Sequence, residues 1–213
     1  MCQYSCALPV EYSADAVALP TTAVNLGEII RTVSMRALLG RIDRLRATRL
    51  LEITVDTNGR LKLWQPPHTK CCGLYWLYTS YSLDQIASAT RAPMHGAVDI
   101  AALVKNRRGL ANIHRQPIGR FKLVYNGVGG IGVKGHGGLR ERIHQEFNGG
   151  SGTGSLAILY TSLSDLTKWR YSYVSLGHSD CESQDFTEPY DAHGESLEVA
   201  WRLHYGWPLL CKR

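Results

Sequence analysis

The stretch from 125 to 142, YNGVGGIGVKGHGGLRER, sets the first question about this chain, because it is dense in glycine and ends in basic side chains. FKLVYNG (121–127) before it has the pattern of a strand, and GGLRERIHQEFN (137–148) after it has the pattern of a helix. A glycine loop between strand and helix has two chemical uses. It can cradle the phosphates of a nucleotide cofactor, or it can let the backbone approach a nucleic acid and bring the following cations to its phosphates.

Gly130, Gly132 and Gly135 fit the G-x-G-x-x-G spacing of a dinucleotide site. That site also wants a carboxylate roughly 20 positions further on, at the end of the next strand. Here the run SLAILYTSL (155–163) occupies that place and holds no carboxylate; the next one along is Asp165. A P-loop fails at once, since Val133-Lys134-Gly135 follows where Lys-Ser/Thr is needed. A nucleotide-binding enzyme using the glycine loop is therefore the weaker alternative.

Working outward, CCGLYWLYTSY (71–81) is apolar and aromatic between turn residues and predicts a buried strand. SLAILYTSL and KWRYSYVSL (168–176) predict two more strands, and GESLEVAWRLHY (194–205) a helix stopped by Gly206 and Pro208. Residues 25–49 carry helical apolar spacing with many arginines, among them Arg36, Arg41, Arg44, Arg46 and Arg49. That segment is either a solvated helix face or a nucleic-acid arm. LLEITVDTNGRLKLWQ (50–65) alternates about Asn58-Gly59, a dipeptide suited to a tight hairpin with both central residues at positive φ. The prolines at 66–67 mark a boundary. The expected division is thus 1–67, a basic helical and hairpin arm with a loosely held start, and 68–213, the main domain, with an insertion at about 79–119.

The 213 residues suit one good-sized domain, and the formal charge of +6 favours an anionic partner. The cysteines show no paired CxxC spacing, no secretory signal is evident, and no apolar run is long enough to span a membrane. These features lead to the expectation of a soluble, cytoplasmic protein with reduced thiols and no membrane partner.

The order of motifs resembles the GIY-YIG nuclease superfamily, as a divergent, insertion-bearing, restriction-endonuclease-like member. Gly73-Leu74-Tyr75 matches the first triplet, Tyr125-Asn126-Gly127 the second, Leu139-Arg140-Glu141-Arg142 the arginine helix, and Glu198 in LEVAWRLHYGWPLLC the metal-binding glutamate. The resemblance covers about residues 71–213. It implies an α/β fold of the α+β type, with a small, mainly antiparallel sheet flanked by helices. It also implies metal-dependent endonucleolytic hydrolysis of DNA phosphodiesters, in restriction, repair or mobile-element biology.

On that resemblance Tyr75 is the general base or orients the water, Tyr125 hydrogen-bonds water or phosphate, and Arg142 clamps the non-bridging oxygens. Glu198 holds one magnesium or manganese ion. Lys134, His136, Arg140 and His144 are candidate phosphate contacts, and so are Arg107, Arg108 and Arg115 of the insertion. The chain departs from the family pattern at Asn126, Glu146 and Cys211. Those departures keep open a second reading, a DNA-binding protein on the same fold that does not cut.

Overall fold

The computed structural model describes residues 26–130, 138–150, 154–177, 185–186 and 190–212, with backbone only for 26–33 and 190–193. The chain divides into two units, Met1–Met35 and Arg36–Arg213. Of the first, only residues 26–35, within the helix α1 (Leu26–Thr48), fall among the described residues. The candidate site lies wholly in the second.

That unit is built on one six-stranded antiparallel sheet. Its strands are β1 (Leu51–Val55), β2 (Leu61–Leu63), β3 (Cys72–Thr79), β4 (Pro117–Ile118), β5 (Phe121–Gly129) and β6 (Trp169–Leu176), in the order β2-β1-β6-β3-β5-β4. With α1, the helices are α2 (Leu83–Ala87), α3 (Ile100–Arg107), α4 (Leu139–Asn148) and α5 (Tyr190–Tyr205). The α+β class expected from the sequence is the class observed.

β3 is central and every one of its residues is buried, which is why its sequence is an unbroken apolar run rather than an alternation. Its side chains still divide by period two. Leu74, Trp76 and Tyr78 enter a core with Leu39 and Ile42 of α1 and Leu197 and Trp201 of α5. Tyr75 and Leu77 enter the opposite core with Ile143 and Phe147 of α4 and Ile100 and Val104 of α3. The sheet is therefore covered on both faces, with α4 on one and α5 on the other.

Three local expectations are corrected. The hairpin β1–β2 is no arm: Leu51 and Glu52 pair with Tyr171 and Arg170 of β6, so the hairpin forms one margin of the sheet. Its turn has positive φ at Gly59 but not at Asn58, because the Asp56 carboxylate accepts from the Asn58 and Arg60 amides and closes a longer loop. SLAILYTSL is not a strand. Leu156, Ile158 and Leu163 are core residues carried by an irregular segment with a 3-10 turn at Ile158–Tyr160. The Leu156 amide donates to the Glu146 carboxylate, and Ala157 sits at φ 48°, so no ladder forms there.

The arginines of α1 are also partly structural. Arg46 is buried, ion-paired to Asp43 at 2.7 Å and hydrogen-bonded to the Tyr78 hydroxyl at 3.1 Å. Arg49, just after the helix, makes a two-pronged contact with Asp185 at 2.6 and 2.9 Å. Arg46 is thereby out of reach of a nucleic acid, whereas Arg49, though paired, keeps 31% of its side chain exposed.

Candidate functional site

The site grows from the register between β3 and β5. Tyr75 lies directly opposite Gly127, and Leu77 opposite Tyr125. A Cβ at position 127 would fall 2.5 Å from the Tyr75 hydroxyl oxygen, so glycine there makes room for a cross-strand ring. Gly73 is likewise required by its neighbours: it has φ 143°, and a Cβ would collide with the Val174 carbonyl of β6. Both triplet glycines thus have packing reasons for being glycine.

A β-bulge decides which face Tyr125 takes. Tyr78 pairs with Leu123 and Leu77 with Tyr125, which leaves Val124 as an extra residue. Without it, Phe121, Leu123 and Tyr125 would share one face by strict alternation. With it, Phe121 and Leu123 stay on the α5 side while Tyr125 turns to the Tyr75 side. The two tyrosine rings then sit 6.0 Å apart between centroids, inclined by 39°.

Tyr75 is fully buried and donates its hydroxyl to Glu146 Oε1 at 2.8 Å. The other carboxylate oxygen of Glu146 accepts from the Leu156 amide at 2.9 Å. Arg142, one helical turn earlier on α4, brings its guanidinium to 3.9 Å from Glu146 and donates to Gln145 at 2.7 Å. Burial, reinforced by the charge of Glu146, pushes the Tyr75 hydroxyl well above the ordinary tyrosine range. Burial does the same to Tyr125. Glu146 is itself raised by burial, against the opposing pull of the Leu156 amide, the Tyr75 hydroxyl and Arg142.

On the other face, α5 presents Glu198 and Arg202 one turn apart as a close ion pair. Arg202 also donates through Nε to Asn126 Oδ1 at 2.7 Å and through Nη2 to the Asn126 carbonyl at 3.1 Å, and lies over the Trp207 ring. Cys211 closes the cluster: its thiol accepts from the Asn126 amide at 3.3 Å. Burial raises Glu198 to about 6 despite the Arg202 charge, and pushes the Cys211 thiol up to about 12, so Cys211 is no nucleophile at neutral pH.

Between these clusters lies a cleft of about 420 Å³, walled by Tyr125, Gly127, Arg142, Glu198, Arg202 and Lys212 among others. The structure therefore brings three of the four candidate catalytic residues to one space, from β5, α4 and α5. Tyr75 is the exception. It lies with no exposed surface against Glu146 and outside the cleft wall, so the general-base role fails on access and on acidity.

The remaining candidates scatter. Lys134 and His136 lie outside the described residues. Arg140 is exposed and His144 partly buried on α4, neither in the cleft wall. Arg107 reaches the Lys212 carbonyl at 2.6 Å, whereas Arg108 and Arg115 border a different cavity. Arg202 and Lys212 were missed by sequence reasoning. The Glu198–Arg202 spacing of four on a helix was the available signal for the first.

The three departures from the family pattern belong to this same environment. Glu146 anchors Tyr75 and faces Arg142, while Asn126 and Cys211 interlock and hold Arg202 against Glu198. No family model matches the chain, and neither a curated protein nor a solved structure does. The described strands are antiparallel throughout, so the parallel βαβ unit of a dinucleotide site is not among them. No described helix is long and apolar enough to cross a membrane.

Among the described residues that wall the cleft, Glu198 is the one carboxylate placed to hold a metal ion. Among the described residues no group of three or more His, Cys, Asp or Glu side chains could enclose an ion. Glu198 stands as a carboxylate in the cleft wall, with its bond to Arg202 made through Oε1. That fits magnesium or manganese held by one carboxylate with water and substrate oxygens, and does not fit an all-protein cage.

Proposed function

We propose that the cleft binds a DNA phosphodiester and hydrolyses it, as a metal-dependent endonuclease resembling the GIY-YIG superfamily. The observation that carries this reading is the convergence of Tyr125, Arg142 and Glu198 from three separate elements on one cleft. Arg142, with Arg202 and Lys212 beside it, supplies the positive charge that a phosphate needs as its transition state gains charge. Glu198 is the ligand for magnesium or manganese, which when bound neutralises phosphate charge and acidifies water. Tyr125, uncharged, orients the attacking water or a phosphate oxygen by hydrogen bonding. Tyr75 acts at one remove, fixing Glu146 and through it Arg142.

The test is plasmid nicking by purified protein with magnesium or manganese and with EDTA. Wild type nicks only with the metal, and Arg142→Ala and Glu198→Ala each lower the rate at least about 100-fold while remaining folded. Tyr75→Phe retains more activity than either, because its hydroxyl is not in the cleft. A second reading, a binding protein that does not cut, is favoured by the Glu198–Arg202 pair, which occupies one carboxylate oxygen. Tight plasmid binding with no nicking under either metal would establish that reading instead.

A further inference from the structure

A second cavity of about 230 Å³ lies next to the cleft and plays no part in the chemistry above. Its apolar wall includes Ile113, Leu123, Val124 and Leu209, and three cations, Arg108, Arg115 and Lys122, line it too. Arg108 has a long surface contact of 3.7 Å with Asp84, and Arg115 donates to the Leu110 carbonyl. Another wall residue is His114, only 8% exposed, whose Nδ1 is bound to the Tyr205 carbonyl at 2.8 Å. The ring is held in place against Trp201, with centroids 5.7 Å apart.

The two cavities share a strand and a following segment. Val124 borders this cavity while Tyr125 and Gly127 border the cleft, and Leu209 and Leu210 divide in the same way. At a rise of about 3.3 Å per residue, Val124 and Gly127 are roughly 10 Å apart. That places the cavity within reach of a nucleotide close to one bound in the cleft. Its volume is below the roughly 300–1,000 Å³ typical of drug-sized ligand pockets and suits one planar ring system.

We infer that this cavity receives one unstacked base of the strand whose phosphodiester lies in the cleft, with Arg108, Arg115 and Lys122 on the flanking phosphates. The inference rests on the cleft being a phosphodiester site. Apolar walls take the faces of the ring, and the cations take the charges that accompany it. A small anionic amphiphile is the other occupant with matching chemistry, but it would gain nothing from the adjoining cleft.

The experiment uses the full chain in EDTA and a set of single-stranded oligonucleotides in which 2-aminopurine is stepped through each position. Binding is expected to raise emission at one or two positions only. An abasic linker at those positions should weaken binding at least about fivefold. Leu83→Trp, at an exposed residue of the cavity wall, should abolish the position-specific signal. Arg115→Ala and Lys122→Ala should each make the salt dependence of binding shallower by about 0.7 in log–log slope.

Emission without positional preference and tolerance of the abasic linker, in a protein that still nicks DNA with metal, would overturn the base site and leave the cleft reading standing. Position-specific emission without nicking would support the base site and remove the cutting function. Saturable binding of decanoate in the cavity with no oligonucleotide binding would overturn both.

Discussion

At the scale of the residue, Gly127 shows how one position serves fold and site together. Its missing side chain is the space that the Tyr75 hydroxyl, Cζ and Cε1 occupy, at 2.5–2.8 Å from where a Cβ would stand. The ring cannot easily retreat, because its hydroxyl is held by Glu146. Gly127→Ala is expected to destabilise the protein by about 1–3 kcal/mol, read from urea denaturation, with stability unchanged as the outcome that contradicts the packing. Glu198 carries a pH signature. Its folded pKa of about 6 lies above the roughly 4.3 of an unfolded glutamate, so the folded chain holds the proton more tightly. Its contribution is therefore complete below about pH 4 and is lost as pH rises through about 6, to the extent of about 2 kcal/mol. The difference between wild-type and Glu198→Gln stability curves isolates this loss, and metal-dependent nicking should rise over the same interval as the carboxylate ionises.

At the scale of the element, α1 and β5 owe their roles to features that a periodicity plot does not display. The arginines of α1 look alike in sequence, yet Arg46 is inserted between helix and sheet. Its guanidinium lies 5.2 Å from the Trp201 ring centroid and 5.9 Å from that of Tyr78, besides the bonds to Asp43 and the Tyr78 hydroxyl. Arg46→Ala is expected to cost about 3 kcal/mol, against less than about 0.5 kcal/mol for the exposed Arg44→Ala, measured by thermal or urea unfolding. Equal small losses would show that Arg46 is not the tie. In β5 the extra residue at Val124 reverses the facing of everything after it, and so sends Tyr125 toward α4 rather than α5. One residue thereby decides that the second tyrosine joins the first.

At the scale of the whole molecule, the net charge of +6 and the arginines and lysines around both cavities predict binding to DNA dominated by phosphate neutralisation. Four or more phosphates neutralised would give a log–log salt slope of about −3.5 or steeper on duplex DNA, measured by fluorescence anisotropy between 50 and 200 mM salt, about 0.9 per phosphate. A slope near zero would remove the nucleic-acid partner and with it the proposed function.

What the amino-acid sequence by itself determined is what depends on local pattern. The unbroken apolar run of β3 announces a strand buried on both faces, the periodic segments announce α4 and α5, and the ordered motifs single out Tyr125, Arg142 and Glu198, which stand on elements that meet at one cleft. Only the tertiary structure decided the fate of groups whose surroundings come from distant residues. It buried Tyr75 against Glu146, paired Arg202 with Glu198 through Asn126, and turned an apolar run at 155–163 into core filling rather than a strand. The physical reason is that pattern records which side chains avoid water. Acidity, access and hydrogen-bond partnership depend instead on which other groups share the same dry space, and the folded chain alone fixes that.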